Sequence, residues 1–155
     1  MSTTITELNQ AALQGIEACK KGQWKEGLAV LGKVAEADRQ GAELNGQFYS
    51  YLGYGIARYE RRVKEGLALC QHSIKLQFYE PENYLNLARV HLLARNRRKA
   101  VEALNRALKL NASNPGAIAL AREIGWRRRP VIPFLPRSNF LNRLLGRLSY
   151  RLRLK

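Results

Sequence analysis

The chain has 155 residues, enough for one domain with a continuous core, and 46% of them are apolar, which excludes a wholly disordered chain. Its net charge of +15 is unevenly placed: the last acidic residue is Glu123, and from Gly125 onward there are nine basic residues and no acid. That asymmetry assigns the C-terminal segment an acidic partner, whether an anionic membrane, a nucleic acid or an acidic protein. Cys19 and Cys70 form neither a metal-ligand spacing nor a disulfide framework and read as small apolar side chains of a reduced, intracellular protein. The first residues lack the basic and apolar pattern of a signal peptide, and no run reaches about 18 apolar residues. A cytoplasmic protein is expected, with peripheral attachment to the inner face of a membrane left open.

Thr4 and Glu7 stand at capping-box spacing and predict a first helix from about Thr6. Leu8, Ala11, Ala12, Gly15, Ile16 and Cys19 form its apolar stripe, and Gly22 ends it. A second helix follows from about Trp24, with Gly27, Leu28, Leu31 and Val34 facing inward, and residues 38–41 read as a loop. The third helix is predicted over 42–59 and the fourth over 63–77. Pro81 suits the first turn of a fifth, because its missing N–H is unpaired there in any case. That helix should end near Arg95–Asn96, the sixth should cover 98–110, and Asn114–Pro115 should open a shorter seventh that ends at Gly125. No alternating apolar run bounded by turn pairs suggests a strand, so the fold class is all-α.

Residues 66–76 return as residues 100–110, and Pro81 returns as Pro115, in each case 34 residues on. A fixed period of this size, with small and large apolar residues in step, signals helical hairpins that bury their faces against one another. Tyr84, Leu87, Ala88 and His91 on one helix, with Ala100, Leu104 and Ala107 on the next, resemble the signature of the tetratricopeptide repeat (TPR) family. The 111–115 turn resembles that family's closing turn, although Ala112 replaces its usual proline. A second unit offers Tyr49, Leu52, Gly53, Ile56, Gly66, Cys70 and Ser73, with one extra residue in its turn. The first, most divergent unit offers Ala11, Gly15, Ala18, Gly22, Trp24, Gly27, Leu31 and Val34. The resemblance implies an α-solenoid of three TPR-like hairpins, at about 7–41, 42–80 and 81–114, with a closing helix at 115–125 and a basic C-terminal arm at 126–155. Gly15, Gly27, Gly53, Gly66, Ala88, Ala100 and Ala107 are the positions where paired helices should come close.

For function the resemblance implies protein or peptide binding. The family's concave face is lined by the first helix of each unit. Here that face would carry Asn9, Ala12 and Ile16, then Ser50, Tyr51, Tyr54 and Arg58, then Leu85, Asn86 and Arg89. Ser50, Tyr51, Tyr54, Arg58, Asn86 and Arg89 are the candidate partner-binding residues, since tyrosine and arginine give large contacts with few torsions or a forked donor. The tyrosines also suit plain packing between helices. Ala12 and Ile16 break the family's basic clamp for C-terminal carboxylates, so that ligand class is not expected. His72 and His91 have no nucleophile linked to them, and the chain shows no phosphate loop or dinucleotide fingerprint. A non-catalytic adaptor or scaffold is expected, with no cofactor and no metal.

The arm begins with the basic run Arg127, Arg128 and Arg129. Pro130, Pro133 and Pro136 impose extended chain, and Ser138 could cap a last helix. On that helix Leu141, Leu144, Leu145, Leu148 and Leu152 share a sector flanked by Arg143, Arg147 and Arg151. A basic amphipathic helix fits a membrane surface or a protein partner, and its leucines could equally dock on the repeats themselves. Nucleic acid fits the arm less well, because leucines outnumber aromatics there and stacking needs aromatics. Homo-oligomerisation stays open.

Overall fold

The computed structural model describes residues 5–38, 44–125, 139–141 and 143–145. Its contacts divide the chain into two compact units, 1–122 and 123–155. Among the described residues up to 125, seven helices follow one another: α1 (Ile5–Lys20), α2 (Trp24–Ala37), α3 (Gly46–Tyr59), α4 (Val63–Leu76), α5 (Pro81–Leu93), α6 (Arg97–Leu110) and α7 (Pro115–Glu123). No strand occurs among the described residues. Helices α1 and α2, α3 and α4, and α5 and α6 pack as antiparallel hairpins, and α1, α3 and α5 pack side by side across them. In the second unit the described residues include helical positions at 140–141 and 143–145.

Helix ends follow local chemistry. Helix α3 begins at Gly46, four residues later than predicted, because the Asn45 side chain accepts the Gln47 N–H at 2.8 Å and caps it. Residues 39–43 of the predicted loop and helix start lie outside the described residues, as does Thr4. Helix α6 opens at Arg97, where Asn96 accepts the Lys99 N–H at 3.2 Å. Pro81 occupies the first turn of α5, as its missing donor favours.

The turn inside each hairpin poses a backbone problem. Gly22 (φ 84°), Arg61 (φ 60°) and Arg95 (φ 56°) hold equivalent left-handed positions just after α1, α3 and α5. The Gln23 N–H reaches Ala18 O at 2.9 Å and the Asn96 N–H reaches His91 O at 2.8 Å, closing Schellman caps. In the middle turn the Arg62 N–H reaches Ile56 O at 3.3 Å, a ring widened by the extra residue. Glycine adopts this conformation freely, whereas an L side chain costs about 1–2 kcal/mol there.

Small residues set the spacing inside the hairpins. A Cβ on Gly15 would lie 3.2 Å from the Gly27 carbonyl oxygen, and one on Gly27 would lie 2.8 Å from that of Gly15. Gly53 and Gly66 face each other in the same reciprocal way, and Ala88 and Ala100, fully or almost fully buried, hold the corresponding places in the third hairpin. Around these contacts Leu31, Phe48, Leu85, Val90 and Leu104 are buried, each contributing about 1.5–3 kcal/mol relative to exposure. Between hairpins, buried Asn83 donates to Ser73 O at 3.3 Å and Gln77 O at 3.1 Å, satisfying the last turn of α4.

Candidate functional site

The inner face formed by α1, α3 and α5, with the starts of α2 and α7, borders a half-open pocket of about 300 Å³. Lys20 and Trp24 line it from the first hairpin, Tyr51 from the second, and Glu82, Leu85 and Arg89 from the third. Gly116 of α7 leaves the pocket room, since a Cβ there would come 2.8 Å from Leu85 Cδ2.

The pocket rests on a buried polar chain. Ser50 and Asn86 are fully buried, and the Asn86 Nδ2 donates to Ser50 Oγ at 3.0 Å. The Asn86 Oδ1 accepts from Arg89 Nη1 at 2.9 Å, and the Arg89 guanidinium lies 5.3 Å from the Tyr54 ring centre. Asn86 and Tyr54 therefore fix the direction of the one arginine in the pocket, through a charge-assisted hydrogen bond and a cation–π contact. Ser50 and Asn86, expected from the sequence to contact a partner, instead form the floor that orients Arg89.

A second network holds the carboxylate. Glu82 Oε2 accepts from the Tyr51 hydroxyl at 3.2 Å, and Glu82 Oε1 accepts from Asn114 Nδ2 at 2.8 Å. Burial first, and then the Glu82 charge, push the Tyr51 hydroxyl well above the ordinary tyrosine range, so it stays a neutral donor. Trp24 packs 6.0 Å from Tyr51, 5.0 Å from Tyr54 and 6.0 Å from Tyr59, measured between ring centres. The Lys20 ammonium stands 5.9 Å from the Tyr51 ring centre and donates to Gln47 Oε1 at 3.4 Å. The aromatic wall is thus flanked by Lys20 and Arg89, with Glu82 between α3 and α7.

Of the residues singled out in the sequence, Tyr51, Tyr54, Asn86 and Arg89 come together here with Ser50 beneath them. Arg58 is exposed near the end of α3 and does not line the pocket. Ala12 and Ile16 belong to the core, and Asn9 is half-buried. Sequence reading passed over Lys20, Trp24 and Glu82. Trp24 occupies a repeat position that reads as packing, but Glu82, Asn86 and Arg89 stand four and three residues apart on one helical face, a signal that was present. In the arm, Arg127, Arg128, Arg129, Arg147 and Arg151 lie outside the described residues, and Arg143 is exposed.

Nothing in this arrangement activates a nucleophile. Burial pushes the Cys19 thiol up to about 11 and the Cys70 thiol up to about 12, so neither supplies thiolate near neutrality. Among the described residues no group of three or more metal-ligating side chains comes together, and no helix is long and apolar enough to cross a membrane.

Neither a family model nor a curated protein sequence matches the chain. Solved structures do. The first TPR domain of human RPAP3 is similar over 74% of this chain and 87% of that one, with a TM-score of 0.57 at 17% identity. This chain has the TPR fold. The first TPR of Spaghetti (RPAP3), bound to the HSP90 peptide SRMEEVD, covers 81% of this chain and 95% of its own, with a TM-score of 0.59 at 16% identity. PcrH, in complex with the chaperone-binding region of PopB, has a TM-score of 0.55 at 19% identity over 79% of this chain and 95% of its own. In TPR terms the pocket lies on the face made by the first helices of successive repeats, and the glycine pairs hold each repeat's two helices together.

Proposed function

We propose that this protein is a non-catalytic adaptor that holds a peptide segment of a protein partner against the concave face of its TPR fold. The observation that carries the reading is the pocket of about 300 Å³ in which Lys20 and Arg89 flank an aromatic wall and a buried asparagine aims the arginine. An acidic side chain of the partner would lie between the two cations, with an apolar neighbour on half-buried Trp24. Two of the similar TPR structures hold a peptide or a partner's binding region, which supports the same use here. The contact residues are Tyr54 and Arg89, with Lys20 and Trp24 beside them, while Ser50 and Asn86 position Arg89, buried Tyr51 holds Glu82, and Arg58 lies outside.

Trp24 provides the test. In a Trp126→Phe background it is the only indole. Heptapeptides that pair acidic with apolar residues should shift its emission saturably, and basic heptapeptides should not. Tyr54→Ala with Arg89→Ala should abolish the response while circular dichroism stays helical. An unchanged response in that double variant would remove the pocket from consideration.

A second reading concerns residues 126–155, taken here as a separate basic arm that tethers a repeat domain of residues 7–125. Phe140, Leu141 and Leu144 are exposed beside Arg143, the combination that suits an anionic membrane surface. Peripheral attachment to the inner face of a membrane follows from that reading.

A further inference from the structure

The three turns inside the hairpins lie along one edge of the repeat stack, because α1, α3 and α5 run parallel. The 6.0 Å separation of Trp24, at the first turn, from Tyr59, at the second, shows that neighbouring turns meet. Residues 21–26, 58–65 and 95–99 of this edge hold ten basic side chains against three acidic ones, and Glu17 and Glu102 adjoin them. The opposite edge, at 36–38, 75–82 and 109–114, holds two basic against four acidic, so the positive field belongs to one side of the unit. Lys21, Arg62 and Arg98 are engaged by Glu17, by Glu60 with Glu65, and by Glu102. Lys25, Arg61, Lys64, Arg95 and Lys99 are exposed and take no part in those ion pairs.

Two of these charges occupy backbone positions that disfavour them. Gly22 fills the left-handed site of the first turn, yet the equivalent sites carry Arg61 and Arg95. Glycine would serve the fold better at both, so the structure offers no stabilising reason for arginine there. Both side chains project from consecutive turns, and the N-termini of α4 and α6 add their partial positive charge beside them.

We infer that this edge binds the phosphate backbone of a single-stranded nucleic acid. A row of cations spaced by repeats matches a linear polyanion better than a compact anion. Forked guanidiniums suit phosphate oxygens, and Tyr59, 54% exposed, offers a face on which a base can stack. The large aliphatic side chains exposed in the repeats, Ile5, Leu13 and Leu110, all lie outside these turns, so the edge lacks the apolar component that a lipid surface would engage.

The full chain carrying Arg61→Gly and Arg95→Gly gives the test, since both changes relieve the backbone while removing charge. Binding of a labelled 20-mer oligodeoxythymidylate is followed by fluorescence anisotropy across a salt series, with acidic vesicles and poly-glutamate as parallel probes. The expected result is a melting temperature that holds or rises, weaker oligonucleotide binding, and a slope of log affinity against log salt shallower by about 1.4, from about 0.7 per lost phosphate contact. Tyr59→Ala should weaken binding at every salt concentration without changing the slope, because stacking releases no counterions. No binding by the unaltered chain, or binding with the same slope in the glycine variant, overturns the proposal. A loss confined to acidic vesicles or to poly-glutamate also overturns it, in favour of a membrane or an acidic protein. The glycine variant leaves Lys20, Trp24, Tyr54 and Arg89 untouched, so its failure leaves the peptide pocket standing.

Discussion

Gly66→Ala and Gly32→Ala make the same chemical change in two helices and should move stability in opposite directions. Both glycines lie inside helices, where alanine gains about 1 kcal/mol of intrinsic helix preference. At Gly32 a Cβ would meet nothing within 4 Å, so that gain should appear nearly whole, as a stabilisation of about 0.5–1 kcal/mol. At Gly66 the new carbon would lie 2.7 Å from Ala57 Cβ and press on the Gly53 carbonyl oxygen. Neither neighbour is the end of a flexible side chain, so α3 and α4 must move apart. Overpacking of this kind costs about 1–3 kcal/mol, and subtracting the helix gain leaves a net loss of up to about 2 kcal/mol. Guanidinium unfolding followed by circular dichroism separates the two, with the midpoint raised in one variant and lowered in the other. Equal stabilisation of both would show that α3 and α4 do not approach through Gly53 and Gly66, and would refute the packing described.

Buried His91 is held below the ordinary imidazole range, by burial first and then by Lys99, with Glu102 opposing. The unfolded chain therefore binds the proton more readily, and stability should be full above about pH 6.5 and decline as pH falls below it. Thermal melts between pH 7.5 and 5 should show that decline flattened in His91→Gln, and parallel curves would exclude His91 as the cause. For the arm, Arg143→Glu, Arg147→Glu and Arg151→Glu together should reduce binding of the full chain to acidic vesicles and leave neutral vesicles unaffected, with each lost charge removing about 1 kcal/mol. Unchanged flotation with acidic vesicles would refute a membrane role for these arginines.

Much of the fold was legible because it repeats. The 34-residue step between Gly66 and Ala100 fixed where helices meet, and glycine or alanine at those positions has one physical reading, close approach. The start of α3 was less legible, because its beginning depends on a hydrogen bond from the Gln47 N–H to the Asn45 side chain rather than on periodicity. At the site, types were easier to read than depths. Ser50, Tyr51, Tyr54, Asn86 and Arg89 all fall on the inward face of a first helix, but helical spacing cannot say which of them ends beneath another. Ser50 and Asn86 are buried because they hydrogen-bond each other across 36 residues, a pairing that exists only once α3 and α5 pack. Lys20 and Trp24 join the pocket from the end of one helix and the start of the next, so no single helical face contains them.

The placement of Glu82 separates the two surfaces by charge. Tyr51 and Asn114 hold its carboxylate without neutralising it, because both are neutral donors. The pocket therefore presents a carboxylate between Tyr51 and Asn114, in addition to Lys20 and Arg89. A peptide can meet that pattern by combining an acidic group for the cations with a backbone N–H or an amide for Glu82. Phosphate groups meet that pattern less well, because they offer no donor for Glu82. The edge has the complementary property: Lys25, Arg61, Lys64, Arg95 and Lys99 stand outside the described ion pairs, and few carboxylates interrupt the row. Charge sorting of this kind would let one small TPR stack offer a peptide and a polyanion different surfaces.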